Sequence, residues 1–528
     1  MARIYEYQSK LLLKKGGIPV PQGEVASSPD EARIAAEKIG KPVVIKMQVW
    51  VTGRAGLGGI QFAASPAEAE AITRKLLGKK VKNFVVDKVL VEEKLDIEAE
   101  YFAGLVIDDA QKCPVLVFSS VGGTGIEEIA RAHPEKIVKM PVDILAGLRE
   151  YQVRNLIRKT GISGKPLVQL SSLLSRFYKV AHAYDARSAE MNPLVLTRDG
   201  KIYAADCHFT VDDYAVFRHP DLGIEVAREF DRPPTELEKI AYQIEEKDHR
   251  GTFYFLQMLD DVSPQDLAIG FNGAGGGGSM MSMDAVLARG FKLANYCDTS
   301  GNPAAAKVYR AAKVILSQPH IKGYFASGSG VASQEQYHSA RGLVKAFHEE
   351  QMEIPGVIRL GGNFEEKAIE ILDNYLKNIP GTVQGFGRDD SPEFCASRME
   401  ELIQAGKVSG HRVRPQPEFD PPEGRYSFEI LTGEMFIDQD KCAACRSKGC
   451  VAACTAGILE IEDGRAQLAI SREDAKKGKC TECLACEIFC KFHEQDAVYI
   501  HLPIPGLKEY RDSLLNPPDS PSVPGKER

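Results

Sequence analysis

The sequence predicts a multidomain α/β protein ending in a small cysteine-rich α+β module. Three observations carry this expectation. Short apolar runs alternate with amphipathic stretches over residues 1–405, Gly-rich turns follow several of the apolar runs, and eight of the 12 Cys fall between residues 442 and 490. At 528 residues the chain exceeds what one hydrophobic core can organise, so three or four domains are expected.

Residues 1–231 read as the first domain. Pro42-Val43-Val44-Ile45-Lys46 and Asn83-Phe84-Val85-Val86 read as strands, and Pro66 to Leu77 as a helix begun by Ser65 with Pro in its first turn. Arg232-Pro233-Pro234 breaks the pattern, and a second α/β domain spans 240–405. Its buried-strand candidates, Leu267 to Phe271, Gly323 to Ala326 and Val357 to Leu360, are separated by helical segments, which predicts a parallel, doubly wound, flavodoxin-like sheet with ligands at its carboxyl edge. Pro-rich, charged residues 406–434 read as a linker, 435–505 as the cysteine domain, and 506–528 as an extended tail.

Composition excludes some classes of function. Lys plus Arg number 66 against 73 acidic residues, a formal charge of −7 with no basic block, so nucleic acid is not an expected partner. No apolar run reaches the roughly 18 residues that cross a bilayer, and the opening Met1-Ala2-Arg3-Ile4-Tyr5-Glu6 lacks a signal-peptide pattern, so a cytoplasmic location is expected. In a reducing compartment, clustered Cys signal metal before disulfide.

The cysteine spacing is Cys442-x2-Cys445-x4-Cys450-x3-Cys454, then Cys480-x2-Cys483-x2-Cys486-x3-Cys490. It resembles the bacterial two-cluster ferredoxins, in which the fourth Cys of each run serves the other cluster. The resemblance implies two [4Fe-4S] clusters, one on Cys442, Cys445, Cys450 and Cys490, the other on Cys480, Cys483, Cys486 and Cys454, acting as an electron conduit. Two departures are visible: the x4 gap, and Thr455 and Lys491 where Pro is usual. A pair of tetrahedral Zn²⁺ sites is the competing reading of the same thiols.

Lys46 ends an apolar strand and can reach a phosphate, and Gly53-Arg54-Ala55-Gly56-Leu57-Gly58-Gly59 offers backbone N–H groups to one. Leu90-Val91-Glu92-Glu93 reads as a strand, Glu100 follows it, and Glu190-Met191-Asn192-Pro193-Leu194 precedes Ala204-Ala205-Asp206, whose oxygens are hard ligands suited to Mg²⁺.

In order and spacing these segments resemble the β subunit of succinyl-CoA synthetase and its NDP-forming acyl-CoA synthetase relatives. The likeness runs from Tyr5-Glu6-Tyr7-Gln8 to about residue 400 and includes Gly122-Gly123, Ile126-Glu127 and Val216 to Leu222. It implies an ATP-grasp fold for 1–231 and a CoA-ligase domain for 240–405. Lys46, Gly53, Arg54 and Ala55 would then hold the phosphates of ATP or GTP. Glu92 and Leu95 would flank the adenine hinge, Glu100 would contact the ribose end, and Asn192 with Asp206 would carry Mg²⁺. Glu190 would position a phosphohistidine loop, Asn272 in Phe271-Asn272-Gly273-Ala274-Gly275 would hold the carboxylate substrate, and Gly328, Ser329 and Gly330 would cradle the phosphohistidine where Ser327 to Val331 opens a helix. Relatives commonly carry Gly-Arg-Gly-Lys where this chain has Gly53-Arg54-Ala55-Gly56, and Ala-Lys where it has Cys207-His208. Asp298-Thr299-Ser300-Gly301-Asn302 replaces a Gly-rich run, so an acid other than succinate is an open expectation.

The family's route uses a histidine of the α-type subunit, which also supplies the CoA site. The His of this chain's α/β region, His182, His208, His219, His249, His320 and His338, lack a Gly-rich catalytic context. The chain is therefore expected to work with an α-type partner. Two clusters have no task in a plain ligase reaction, so the alternative reading is a subunit of a redox complex with an oxidoreductase or ferredoxin partner; a purely structural role for the clusters is a third.

Overall fold

The computed structural model describes residues 2–51, 53–123, 133–228, 232–246, 248, 251–259, 261–328, 330, 332–406, 408–416, 419 and 425–516. Ser329, Val331, Ile126, Glu127 and His249 lie outside the described residues. Contacts divide the chain into two compact units, Met1–Pro234 and Thr235–Arg528.

The first unit opens with α1 (Glu6–Lys15) and holds two larger antiparallel sheets and a two-stranded ladder of Lys80–Val81 with Phe84–Val85. The smaller orders Gly23–Ala26, Val89–Glu93, β1 (Val43–Met47) and Ile60–Ala63. Helices Pro29–Ile39 and Pro66–Leu76 cover it. The second begins as the sequence predicts, with Ser65 accepting from the amide three residues on and Pro in the first turn, and Ser28 with Pro29 starts the first in the same way. Their alanine faces (Ala32, Ala35, Ala36, Ala69) pack with Val43, Ile45 and Val91. The larger sheet places β2 (Ile97–Asp108) beside β3 (Ala186–Thr197), with Cys207–Val211 on the other side of β3. The register of β3 on β2 slips between Met191 and Leu194, so Asn192 and Pro193 stand out of that ladder.

In the second unit β4 (Ala268–Ala274) and β5 (Gly323–Gly328) are the centre of a parallel sheet continued by Gly356–Arg359 and Val383–Phe386, as the buried-strand pattern predicts. On the other side of β4, Asn295–Asp298 is parallel, and Tyr254–Gln257 adds an antiparallel edge strand. Helices α2 (Gly276–Ala288) and α3 (Tyr337–Glu350) follow β4 and β5. The cysteine segment builds a three-stranded sheet (Tyr426–Glu429, Glu434–Ile437, Val498–His501), a hairpin (Leu459–Glu462 with Arg465–Leu468) and α4 (Ala485–His493).

The structure differs from the sequence expectation in how the cysteine segment is attached. One core runs through Val308, Val344 and Phe347, packed beside the parallel sheet, and Phe428, Ile437, Ile488 and Ile500 of the cysteine segment. Residues assigned to the linker are pinned: buried His411 exchanges backbone hydrogen bonds with His320 and Ile321, its Nε2 meets the Leu316 carbonyl at 2.8 Å, and Tyr426–Glu429 is already a sheet strand. Residues assigned to the start of the tail form α5 (Leu507–Leu515). The physical reason is Arg511, 1% exposed, which pairs with Glu350 at 2.9 Å and bonds the Ser317 hydroxyl and the Lys313 carbonyl. A side chain that reads as surface charge is here the partner of a buried acid.

Glu350 keeps Lys313 as a second partner, so removing Arg511 leaves it half-compensated, at a cost that reaches at most the about 3–5 kcal/mol of a broken buried pair. Arg511→Ala is expected to lower the unfolding free energy of the second unit by up to that amount, read from the denaturant midpoint and slope; a loss below ~1 kcal/mol would show that α5 merely rests on the surface.

Candidate functional site

Five of the residues singled out in the first unit meet in or beside one charge network. Glu6 on α1 is 3% exposed and forms ion pairs with Lys10, Lys46 and Arg54, each at 2.8 Å. Glu92 is turned into the same network, 2.6 Å from Lys10 and 2.9 Å from Lys46. Arg54 reaches across to Asp206 through its Nη2, 2.8 and 2.9 Å from the two carboxylate oxygens. The Ala205 carbonyl accepts from both lysines. Three cations thus balance three carboxylates, and burial without that balance would be prohibitive. Lys10, Lys46 and Arg54 together hold the Glu6 carboxyl well below its ordinary range despite its burial, and Glu6, Glu92 and Asp206 hold Lys46 above the ordinary lysine range against its own burial.

The other predicted groups lie around this network. Asn192, freed by the slip in β3, accepts from the Gly123 amide at 2.9 Å, and its own amide donates to the Asp206 carbonyl. Gly122 permits this approach, since a Cβ there would stand 2.3 Å from the Tyr101 carbonyl oxygen. The Glu100 carboxylate lies beside Gly123, 2.9 Å from where a Cβ would be. Glu190 sits half-buried in β3 between Gly104 and His208. Leu95 occupies the turn after Val89–Glu93, and Gly53 (φ +70°) and Ala55 lie on the exposed side of the loop whose Arg54 points inward. The residues assigned to phosphate and to metal, Arg54 and Asp206, bind each other in this structure. Glu6 and Lys10 were missed as site residues; an i,i+4 Glu/Lys pair on a helix is ordinarily a surface feature, and here it faces inward.

In the ligase half, Asn272 is buried in β4 and donates to the Tyr324 hydroxyl at 2.8 Å. The helix opening on a glycine loop is α2, not the one after β5: Gly275 (φ +94°) caps α2 without a side-chain bond, and no atom lies within 4 Å of a Cβ built on Gly276 or Gly277. The described residues Ser327, Gly328 and Gly330 do not open a helix, because α3 starts only at Tyr337. Arg359 explains the delay. Its guanidinium bonds the carbonyls of Gly328, Arg388 and Asp390, stapling the end of β5 to the next strand ends. Gly330 (φ +78°) lies against Arg359.

The eight clustered thiols are unbridged and fall into two groups. Burial and its neighbours Cys490, Cys442 and Cys445 push the Cys450 thiol up to about 12. Burial, Glu482, Cys483 and Cys454 push Cys480 up to about 12, and Cys486 is raised by burial and by Cys483, Cys480 and Cys454. Cys450 thus shares its surroundings with Cys442, Cys445 and Cys490, and Cys486 with Cys454, Cys480 and Cys483. Among the described residues, no set of three or more His, Cys, Asp or Glu converges closely enough to hold a metal ion. Thiols that oppose each other's ionisation in this way become thiolates only with a cationic centre among them. Amides already point at two of the sulfurs, Ala466 N at Cys442 (3.2 Å) and Ala497 N at Cys490 (3.1 Å), the arrangement that supports a thiolate.

The depressed Glu6 carboxyl gives a signed pH dependence. Its stabilisation of the first unit is complete above its unfolded value of about 4.5 and is lost as pH falls below that toward the folded value. Glu6→Gln is expected to destabilise the unit by about 3–5 kcal/mol at pH 7, and the gap from wild type is expected to narrow as denaturation is repeated at pH 4 and 3. A gap that stays constant with pH would show that Glu6 is not the ionised centre of the network.

Comparison with known proteins gives this geometry its context. Residues 3–196 match the ATP-grasp domain family and residues 267–389 the ATP citrate lyase citrate-binding family. The GDP-forming succinate–CoA ligase β subunit of Thermus thermophilus is 39% identical over 370 residues, 70% of this chain and 93% of that one. The ADP-forming succinate–CoA ligase β subunit 2 of Archaeoglobus fulgidus is 36% identical over 379 residues, 72% and 94% of the two chains. Among solved structures, ATP citrate lyase from Methanothrix soehngenii in complex with citrate and coenzyme A superposes with a TM-score of 0.63 at 19% identity, covering 76% of this chain and 99% of that one, which shows a shared fold. No family matched here covers the cysteine segment. With an ATP-grasp half, a ligase half and relatives at this identity over most of their length, the chain belongs to the family of succinate–CoA ligase β subunits.

Proposed function

We propose that this chain is the nucleotide-binding, β-type subunit of an NDP-forming acyl-CoA synthetase: carboxylate + CoA + NTP ⇌ acyl-CoA + NDP + phosphate. The supporting observation is the buried network in which Lys46 and Arg54 stand beside Asp206, with Asn192 next to it. Such a network is poised to exchange partners. Nucleotide phosphates would take over Arg54 from Asp206, and the released carboxylate and the Asn192 oxygen would then be the groups that hold magnesium. Bound magnesium supplies charge neutralisation at the phosphates. Gly53 and Ala55 place backbone N–H groups at the phosphates, Glu92 and Leu95 lie by the base, and Glu100 lies by the ribose.

An α-type partner carrying the phosphohistidine and the CoA site completes the enzyme. Phosphate passes from NTP to that histidine and then to the carboxylate, and CoA displaces it from the acyl phosphate. Glu190 positions the histidine loop at the nucleotide end; Asn272, the Gly328–Gly330 turn and the open start of α2 serve the carboxylate and the phosphohistidine at the ligase end. The match of 267–389 to a citrate-binding family supports a small di- or tricarboxylic acid as substrate.

The two cysteine quartets suit two [4Fe-4S] clusters, which supply one-electron transfer when bound. Eight thiols paired by crossover, two with amides directed at sulfur, support this reading. A core shared with the ligase half favours a redox role over an appended carrier.

Calorimetry on the anaerobically purified complex tests the nucleotide assignment. Mg-ATP or Mg-GTP is expected to bind, and Lys46→Met is expected to weaken binding about 100-fold, the loss of a charge-assisted contact of about 3 kcal/mol. Labelled γ-phosphate is expected on a histidine of the partner. Absence of heat with both nucleotides would overturn the assignment. Iron and sulfide assays are expected to find about eight of each per chain; zinc in their place would overturn the clusters.

A further inference from the structure

Lys46 and Lys10 stand on the same three oxygens. Lys46 meets Glu6 Oε1 at 2.8 Å, Glu92 Oε2 at 2.9 Å and the Ala205 carbonyl. Lys10 meets Glu6 Oε1 at 2.8 Å, both Glu92 oxygens at 2.6 Å and the same carbonyl at 2.7 Å. Both lysines are buried. An ammonium carries three N–H donors, so one lysine is enough to serve all three oxygens.

The two cations beside Lys10 are placed differently from it. Lys10 rises from α1, and α1 is tied to β1: the Tyr7 amide donates to Gln48 Oε1, and Gln48 Nε2 donates to the Lys46 carbonyl, each at 3.2 Å. Arg54 lies on the glycine loop, where no atom stands within 4 Å of a Cβ built on Gly53, and its Nη1 reaches the Met47 carbonyl next to Lys46. Lys46 and Arg54 are therefore the members of the network that adjoin the phosphate loop, and Lys10 is the member fixed behind them.

On the nucleotide-binding reading above, phosphates draw Lys46 and Arg54, and magnesium draws Asp206. Glu6, Glu92 and Lys10 stay behind. Without Lys10 the remainder would be two buried carboxylates and no cation, which burial penalises steeply, so the glutamates would hold Lys46 back. We infer that Lys10 is a positioning residue for the nucleotide: it keeps the three shared oxygens occupied while Lys46 turns to the phosphates, so that Glu6 and Glu92 release Lys46. This inference rests on that nucleotide-binding reading.

The test uses the complete complex with Mg-ATP and Mg-GTP at a temperature where each variant is folded. Two quantities are measured: the calorimetric Kd, and the nucleotide dependence of labelled γ-phosphate transfer to the partner histidine. Lys10→Met is expected to raise Kd and the half-saturating concentration about tenfold, more than it lowers the plateau rate. Lys10→Met with Glu6→Gln leaves a single carboxylate behind, the same net charge as in the wild type, and is expected to bring both quantities back toward wild-type values. Glu6→Gln alone leaves Glu92 paired with Lys10, so the double variant is expected to bind more weakly than Glu6→Gln, a comparison that stands if the single Lys10 variant does not fold. Equal Kd in all these proteins, or a Lys10→Met effect on the plateau rate alone, would overturn the inference and leave the nucleotide reading in place. A wild type that binds neither nucleotide would overturn that reading, and the inference with it.

Discussion

One carboxylate organises the first unit. Glu6 draws Lys10 of its own helix, Lys46 of β1 and Arg54 of the glycine loop to a single buried point, and through Arg54 it fixes Asp206. Helix, strand, loop and the turn after β3 are joined there by electrostatics where few apolar side chains could reach. The same network that holds the unit together keeps its cations charged and aimed, so that an incoming anion meets a prepared surface.

That centre illustrates what a sequence can and cannot disclose. Strand Val43–Met47, the helix capped at Ser65 and the parallel strands of the second unit are local patterns, and they were legible because apolar spacing and capping residues act over a few positions. Lys46, Arg54, Asn192 and Asp206 were legible through family order. The part played by Lys10 was not, because its partner Glu92 lies 82 positions away and nothing local marks the lysine as buried. Residues 406–434 and 506–515 were misread for the same reason. Proline and charge ordinarily mean solvent, and only distant partners such as Leu316 for His411 and Glu350 for Arg511 reverse that meaning.

The cysteine half is attached differently from an ordinary fused domain. Domains joined by tethers keep separate cores and polar interfaces. Here Phe428, Ile488 and Ile500 belong to the same apolar cluster as Val344 and Phe347, and ion pairs at the seam are buried. Such a seam transmits change, because a packed core with enclosed charges has few intermediate arrangements.

The place of Arg511 in the chain carries a consequence for biogenesis. Glu350, already paired with Lys313, emerges from the ribosome 161 residues before its second cationic partner, the Arg511 guanidinium. At ordinary elongation speeds of about 5–20 residues per second, that is an interval of roughly 8–30 s. During this interval the last two parallel strands, Gly356–Arg359 and Val383–Phe386, and all eight clustered cysteines are synthesised, so the cysteine segment is complete before the helix that closes over the sheet is.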